Sequence, residues 1–227
     1  MLSLFIENVK NNIPFVFTKF GDGEIICICK RYYIDAPPQN CDRQSYSDKL
    51  SDMLIESAKY FSDKKVFIGN WNFDTHYTNI FNIFIKENNI SFNYVNYDIL
   101  LHNENKDISK LKELYLEISK SKLKKIYICS ERNKSAKDFL NCDLLIVNDN
   151  EAFDYYESIR NEILNKEYDI YLYSCGLMSK VLIKDVMMSK SNKIQLDIGS
   201  GLDNMFNDTT RLGQIQKDKL IEFYEVT

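Results

Sequence analysis

Short apolar runs rich in β-branched and aromatic residues alternate along this chain with longer amphipathic ones. Runs at 15–20, 65–69, 91–97, 125–129, 143–148, 169–174 and 193–198 have the length and composition of strands. Between them a 3.6-residue period predicts helices over 46–61, 78–88, 108–121, 151–165 and 177–189, with a shorter one at 25–30. Several strand runs (IYIC at 126–129, LLIV at 144–147, IYLYS at 170–174) are apolar without alternating. Strands covered on both faces of a parallel sheet have that pattern. The expectation is an α/β fold in one domain over 1–227, a Rossmann-like, mostly parallel sheet with helices on both faces.

In such sheets ligands bind outside the carboxyl ends of the strands. The segments there are Gly21-Asp22-Gly23-Glu24, Asn70-Trp71-Asn72, Ser130 to Asn133, Asn148-Asp149-Asn150, Ser174-Cys175-Gly176 and Gly199 to Asp203. Nearly all are polar or glycine-bearing, in a chain of only 7 Gly and 3 Pro. Pro37-Pro38 marks the clearest break, inside a polar stretch at 35–45 that reads as a surface loop long enough to bind a ligand or cover one.

Composition narrows the partners. The 227 residues carry 29 Lys+Arg against 33 Asp+Glu, a net charge of −4, so no basic surplus holds a nucleic acid or an anionic membrane by overall charge. The first residues reach Glu7 too soon for a signal-peptide core, and no apolar run is long enough to span a membrane. Six Cys and two His, with no CxxC pair, argue against a zinc module or disulfide framework, so a cytoplasmic location with reduced thiols is expected.

The sharpest local feature is Lys19-Phe20-Gly21-Asp22-Gly23-Glu24. In extended geometry Asp22 and Glu24 share a side, and Gly23 lets a ligand approach the backbone. Such a pair of hard oxygen donors suits Mn²⁺ or Mg²⁺, with water and a diphosphate completing the shell. A helix start nearby would add amide donors for phosphate. The same residues also describe a tight turn with Asp22 as a helix cap and Glu24 in the first turn. Spacing alone leaves both readings open.

KFGDGE resembles the RFGDGE motif of the GT-D type glycosyltransferases, the family once called domain of unknown function 1792. Three further segments resemble that family in the same order. Tyr127 to Asn133 is similar to its strand ending in a GPER-type loop. Val147 to Phe153 with Tyr155 to Ile159 is similar to its P..NAF..Y..I segment. Ser174 through Asp185, then Leu196-Asp197-Ile198-Gly199, is similar to its LG..A..LA.DL and DIGH.D ending. The resemblance spans roughly 14–206. It implies a GT-D type fold, Asp22 and Glu24 as metal ligands, and Lys19, Phe20, Gly21, Gly23, Arg132, Asn150 and Gly176 around the nucleotide-sugar donor. Lys19 replaces the family's usual Arg, exchanging a bidentate fork for a point charge, and Ser200 replaces its His. Gly201-Leu202-Asp203 adds a residue before the next acid.

Arg132 is suited to a phosphate or ribose, or else to pairing with Glu131 or a neighbouring helix. Asp203 is the candidate general base for an acceptor hydroxyl, and Asp197 the carboxylate that orients the loop or a ligand; both also fit as turn-forming residues. His76 fits a helix cap as well as a ligand contact, Trp71, Phe73 and Tyr77 an apolar platform for a sugar ring, and Cys27 and Cys29 small buried positions. His102 has no evident partner.

These observations lead to a metal-dependent glycosyltransferase moving a sugar from a nucleotide sugar, UDP-linked by the resemblance, to a hydroxyl of a glycan or glycoprotein. The alternative is an inactive nucleotide- or glycan-binding protein of the same fold. A methyltransferase-like Rossmann enzyme is disfavoured because no GxGxxG run follows the first strand. Oligomeric state is not legible.

Overall fold

All seven apolar runs form strands, and all seven strands lie in one parallel sheet. The computed structural model describes residues 1–32, 43–62, 64–71, 76–103, 107–206 and 215–225. The strands are β1 (Val16–Lys19), β2 (Val66–Asn70), β3 (Asn93–Asn96), β4 (Lys125–Ser130), β5 (Asp143–Val147), β6 (Ile170–Ser174) and β7 (Ile194–Asp197). Their order is β3-β2-β1-β7-β6-β4-β5, with Val16 opposite Val66 and Phe17 opposite Leu196.

The described helices are α1 (Leu2–Lys10), α2 (Asp22–Tyr32), α3 (Asp48–Phe61), α4 (His76–Glu87), α5 (Ser109–Lys120), α6 (Ala136–Leu140), α7 (Tyr156–Asn165), α8 (Met178–Ser189), α9 (Asp203–Phe206) and α10 (Lys217–Glu225). Alternate side chains of each inner strand leave opposite faces of the sheet. Val16, Ile126, Ile128, Tyr171 and Tyr173 join the core under α2, α3, α4, α7 and α8. Phe17, Tyr127, Cys129, Leu172 and Leu196 join the core under α1, α5, α6 and α9. Two-sided burial is therefore why these strands read as continuous apolar runs.

In α3, Ser47 accepts the Leu50 N–H at 3.1 Å as the N-cap, and Leu50, Leu54, Ala58 and Phe61 form the buried stripe. Burying each of these leucines contributes about 1.5–3 kcal/mol. The helix expected over 151–165 starts later: Glu151 takes a left-handed φ of 53°, and a short 3₁₀ turn, Ala152–Tyr155, precedes α7. The cause is the Glu151 carboxylate, which accepts from the Ser45 N–H at 2.8 Å and Gln44 Nε2 at 2.7 Å. The pattern did not announce α1, whose Phe5, Ile6 and Val9 are buried against the sheet and α5. Pro37, Pro38 and Phe73 lie outside the described residues. Among the described residues no helix is long and apolar enough to cross a membrane.

Chain order decides where a ligand can sit. From β1 the chain builds β2 and β3 to one side, then returns on the other, ending with β7 against β1. This reversal opens a crevice at the carboxyl ends of β1, β7 and β6.

Candidate active site

A cleft of about 150 Å³ opens at that crevice, lined by Lys19, Asp22, Glu24, Tyr97, Arg132, Ser174, Gly176, Lys180, Asp197, Gly199, Ser200 and Asp203. It adjoins a second, smaller hollow of about 70 Å³ that shares Arg132, Ser174 and Gly176 and extends past Asn148, Asp149 and Gln44. Seven residues expected from sequence therefore converge here: Lys19, Asp22, Glu24, Arg132, Gly176, Asp197 and Asp203.

The carboxylates differ in what they touch. Gly21 is the N-cap of α2, with its carbonyl accepting the Ile25 N–H at 3.0 Å, and Glu24 Oε2 reaches back to the Gly21 N–H at 2.8 Å. This is the glutamate half of a capping box. The other oxygen, Oε1, lies 2.5 Å from Lys180 Nζ, and Lys180 lies 3.0 Å from Asp197 Oδ2. Asp197 Oδ2 also accepts from the Thr18 hydroxyl at 3.1 Å. Burial alone would push the Lys180 ammonium down, but the charges of Asp197 and Glu24 outweigh it and hold the ammonium above its ordinary value.

Asp22 is the first residue of α2 rather than its cap, and stands exposed at the cleft's mouth. The extended Asp22/Glu24 pair of the sequence reading is thus replaced by a first helical turn, in which the two side chains diverge. Such a pair does not fit a divalent ion, because Glu24 has both oxygens engaged by Lys180 and the Gly21 N–H. Among the described residues no group of three His, Cys, Asp or Glu side chains converges as a ligand set.

Lys19 ends β1, buried, with Nζ 5.0 Å from the centre of the Tyr97 ring. Burial, then the Glu24 charge, raises the Tyr97 hydroxyl far above its ordinary value, so it stays protonated as a donor. The Gly199 Cα faces Lys19 so closely that a Cβ there would meet Nζ at 2.8 Å. Arg132 follows β4 in a 3₁₀ turn, its Nε 3.2 Å from the Ser130 hydroxyl and 3.3 Å from Asp149 Oδ1. Its ion partner is Asp149; Glu131, one of the alternative partners that the sequence left open, pairs with Lys134. Asp203 begins α9, 4% exposed, with Oδ1 accepting from Asn133 Nδ2 at 2.9 Å. Gly176 turns β6 into α8 with φ +59°, a conformation that favours glycine.

Other expected residues fall elsewhere. The Phe20 side chain is a correction: it packs among Phe61, Phe81 and Phe92 in the core, because the strand pleat turns it away from Lys19. Gly23 is buried within α2, and Gly21 borders the Tyr97 hydroxyl. Asn150 is exposed in the turn after β5, where its N–H meets Asn148 Oδ1, so its neighbours rather than Asn150 itself line the hollow. His76 is exposed at the start of α4, Trp71 packs edge-on against Tyr97, Tyr77 is half-buried, and Cys27 and Cys29 are buried as expected. His102, without an evident partner in sequence, is fully buried between the Gly201 carbonyl and the Tyr224 hydroxyl, each 2.9 Å away.

Sequence reasoning missed Lys180 and Tyr97. Lys180 had a legible signal: it and Lys184 stand four apart inside a largely apolar helix run, where a buried lysine must find a countercharge. Tyr97, one of 15 tyrosines, had none.

No protein-family model matches the chain, and no curated protein matches it. Solved structures do. One described as a new glycosyltransferase (DUF1792) from Streptococcus sanguinis superposes with a TM-score of 0.66 at 15% identity, over 98% of this chain and 84% of its own. A second, described as having a distinct glycosyltransferase fold, gives 0.63 at 15% identity over 98% and 88%. A selenomethionine-substituted DUF1792 structure gives 0.64 at 16% identity over 96% and 86%. The chain has the DUF1792 fold. Within the DUF1792 fold, the segments that resemble the family's motifs lie at the carboxyl ends of β1, β4, β5, β6 and β7, and those after β1, β4, β6 and β7 line the cleft.

Proposed function

We propose that this protein is a glycosyltransferase that takes a sugar from a nucleoside-diphosphate sugar, UDP-linked by its family resemblance, and passes it to a hydroxyl of a glycan or glycoprotein. The observation that carries the reading is the convergence in one crevice of three cations, Lys19, Arg132 and Lys180, with Asp203 facing the same space. Two solved structures of this fold are described as glycosyltransferases or as having a glycosyltransferase fold, which supports the reading.

In this reading Lys19, Arg132 and the amides opening α2 and α8 meet the donor's diphosphate. The Tyr97 hydroxyl, beside Lys19 and Gly21, is a further donor. Asp203 takes the acceptor hydroxyl's proton as that oxygen bonds to the anomeric carbon, while the bond to the diphosphate breaks and its electron pair leaves with the phosphate oxygen. Asp197 is ill placed for that task, since Lys180 and Thr18 already engage it. The Mn²⁺ or Mg²⁺ expected from sequence takes no part in these steps, because Lys180 and the Gly21 N–H already engage Glu24; Asp22, at the mouth, stays a polar contact for the donor.

The test is turnover. Incubating the protein with a panel of UDP-sugars, with Mn²⁺ and separately with EDTA, should release UDP above a no-enzyme control. Release by no member of the panel under either condition, with UDP still bound, would leave the binding-protein alternative instead.

A further inference from the structure

Lys180 is nearly inaccessible (3% exposed), on the first turn of α8, and aims its ammonium at oxygens from three separate elements. Glu24 Oε1 from α2 lies at 2.5 Å, Asp197 Oδ2 from β7 at 3.0 Å, and the Gly176 carbonyl at 3.4 Å. Three acceptors match the three donors of an ammonium. The longer distances suit N–H···O bonds, whereas Mg²⁺ demands oxygens at about 2.0–2.1 Å in octahedral array. The ammonium is therefore where a bridging cation between Glu24 and Asp197 would otherwise be needed.

We propose that Lys180 replaces a divalent ion in this protein, tying Glu24 to Asp197 across the cleft floor so that a nucleoside diphosphate binds without added metal. The inference rests on the nucleotide-sugar reading above. Charge makes the consequence specific. Lys180 is the countercharge that touches both floor carboxylates, Glu24 and Asp197, in a cleft whose other charges are Lys19 and Arg132 against Asp22 and Asp203. Without Lys180 the floor carries a surplus negative charge that repels a diphosphate, and two carboxylates are left within reach of a single cation. Lys180 is a positioning residue, since its donors are taken by protein oxygens.

Two measurements on the full chain test this. In the first, UDP binding is titrated in EDTA and in Mn²⁺ for the wild type and Lys180→Met. The wild type should bind with affinities within about threefold of each other, and K180M should weaken at least tenfold in EDTA and recover with Mn²⁺. A wild type that loses tenfold or more in EDTA overturns the proposal. If UDP, GDP and TDP all fail to bind in both conditions, the nucleotide-sugar reading falls and takes this inference with it. The second measurement needs no nucleotide: Mn²⁺ alone is titrated by the loss of its free-ion EPR signal. One equivalent should bind K180M and not the wild type, whereas a wild-type site lost in Glu24→Gln overturns the proposal. Should K180M not fold, the wild-type arms alone decide.

Discussion

Asn133 Nδ2 donates to Asp203 Oδ1 at 2.9 Å, so a residue in the loop after β4 orients a carboxylate 70 positions later at the head of α9. Both are buried, and a buried carboxylate with one oxygen fixed presents the other along a defined direction. If Asp203 is the base, Asp203→Asn lowers kcat by about 10²–10⁴ and leaves UDP affinity within a few-fold of wild type. Asn133→Ala keeps the carboxylate but frees its angle, and should cost about tenfold in kcat. Steady-state kinetics beside UDP titration checks both, and an Asp203→Asn enzyme with wild-type kcat removes the assignment.

Gly199 holds φ +56°, and a Cβ there would meet Lys19 Nζ at 2.8 Å and Cε at 2.9 Å. The lysine end can swing aside, but the left-handed backbone cannot be relieved so easily. Gly199→Ala is expected to cost about 1–2 kcal/mol of stability and to lower Tm by about 2–8 °C. Because Lys19 must move to make room, nucleotide affinity should fall as well. Thermal unfolding and UDP titration of the same sample read the two effects.

What was legible in the sequence follows from how each feature is encoded. The inner strands were readable because burial on two faces forces unbroken apolar runs such as Ile170 to Tyr173, whereas the largely exposed edge strand β3 was readable only from its aromatic and β-branched residues. Cleft residues were readable where the fold's rule names the position, as for Lys19 at the end of β1 and Arg132 after β4. The partners were not. Glu24 fits a metal site and a capping box equally well by spacing, and only the distant Lys180, brought in by α8, shows which oxygens are engaged. The 3₁₀ break before α7 depends on Ser45 and Gln44 more than a hundred positions away, which no local period reports.

Phe20 and Lys19 are neighbours on the chain with opposite duties. Phe20 stacks on Phe92 at 5.8 Å and is 2% exposed, while Lys19 points into the cleft. Phe20→Ala should therefore destabilise by about 3–5 kcal/mol through the cavity it leaves, with nucleotide affinity changed only as far as the folded fraction falls. Lys19→Gln should show the reverse, weakening UDP binding about tenfold through loss of one charge-assisted contact. Urea unfolding alongside titration distinguishes them, and a Lys19→Gln protein of unchanged affinity removes Lys19 from the donor site.

His102 makes the protein sensitive to mild acid. The Gly201 carbonyl can only accept, so Nδ1 carries the proton and Nε2 accepts from the Tyr224 hydroxyl, while the ring stacks on Tyr115 at 5.6 Å. Burial pushes the imidazole down to about 4, from 6.5 when unfolded. Between those values the unfolded chain takes up a proton that the folded chain refuses, so this group's contribution to stability is intact above about pH 6.5 and is lost as pH falls toward 4. From pH 7.5 to 5.0 the loss is about 2 kcal/mol. Urea unfolding at the two pH values should show it, and His102→Gln should remove that part of the slope while leaving the carboxylate contribution. Gly201 lies two positions before Asp203, so turnover should decline over the same range in the wild type and less steeply in the variant. Equal slopes in the two proteins would mean that His102 is not the group responsible.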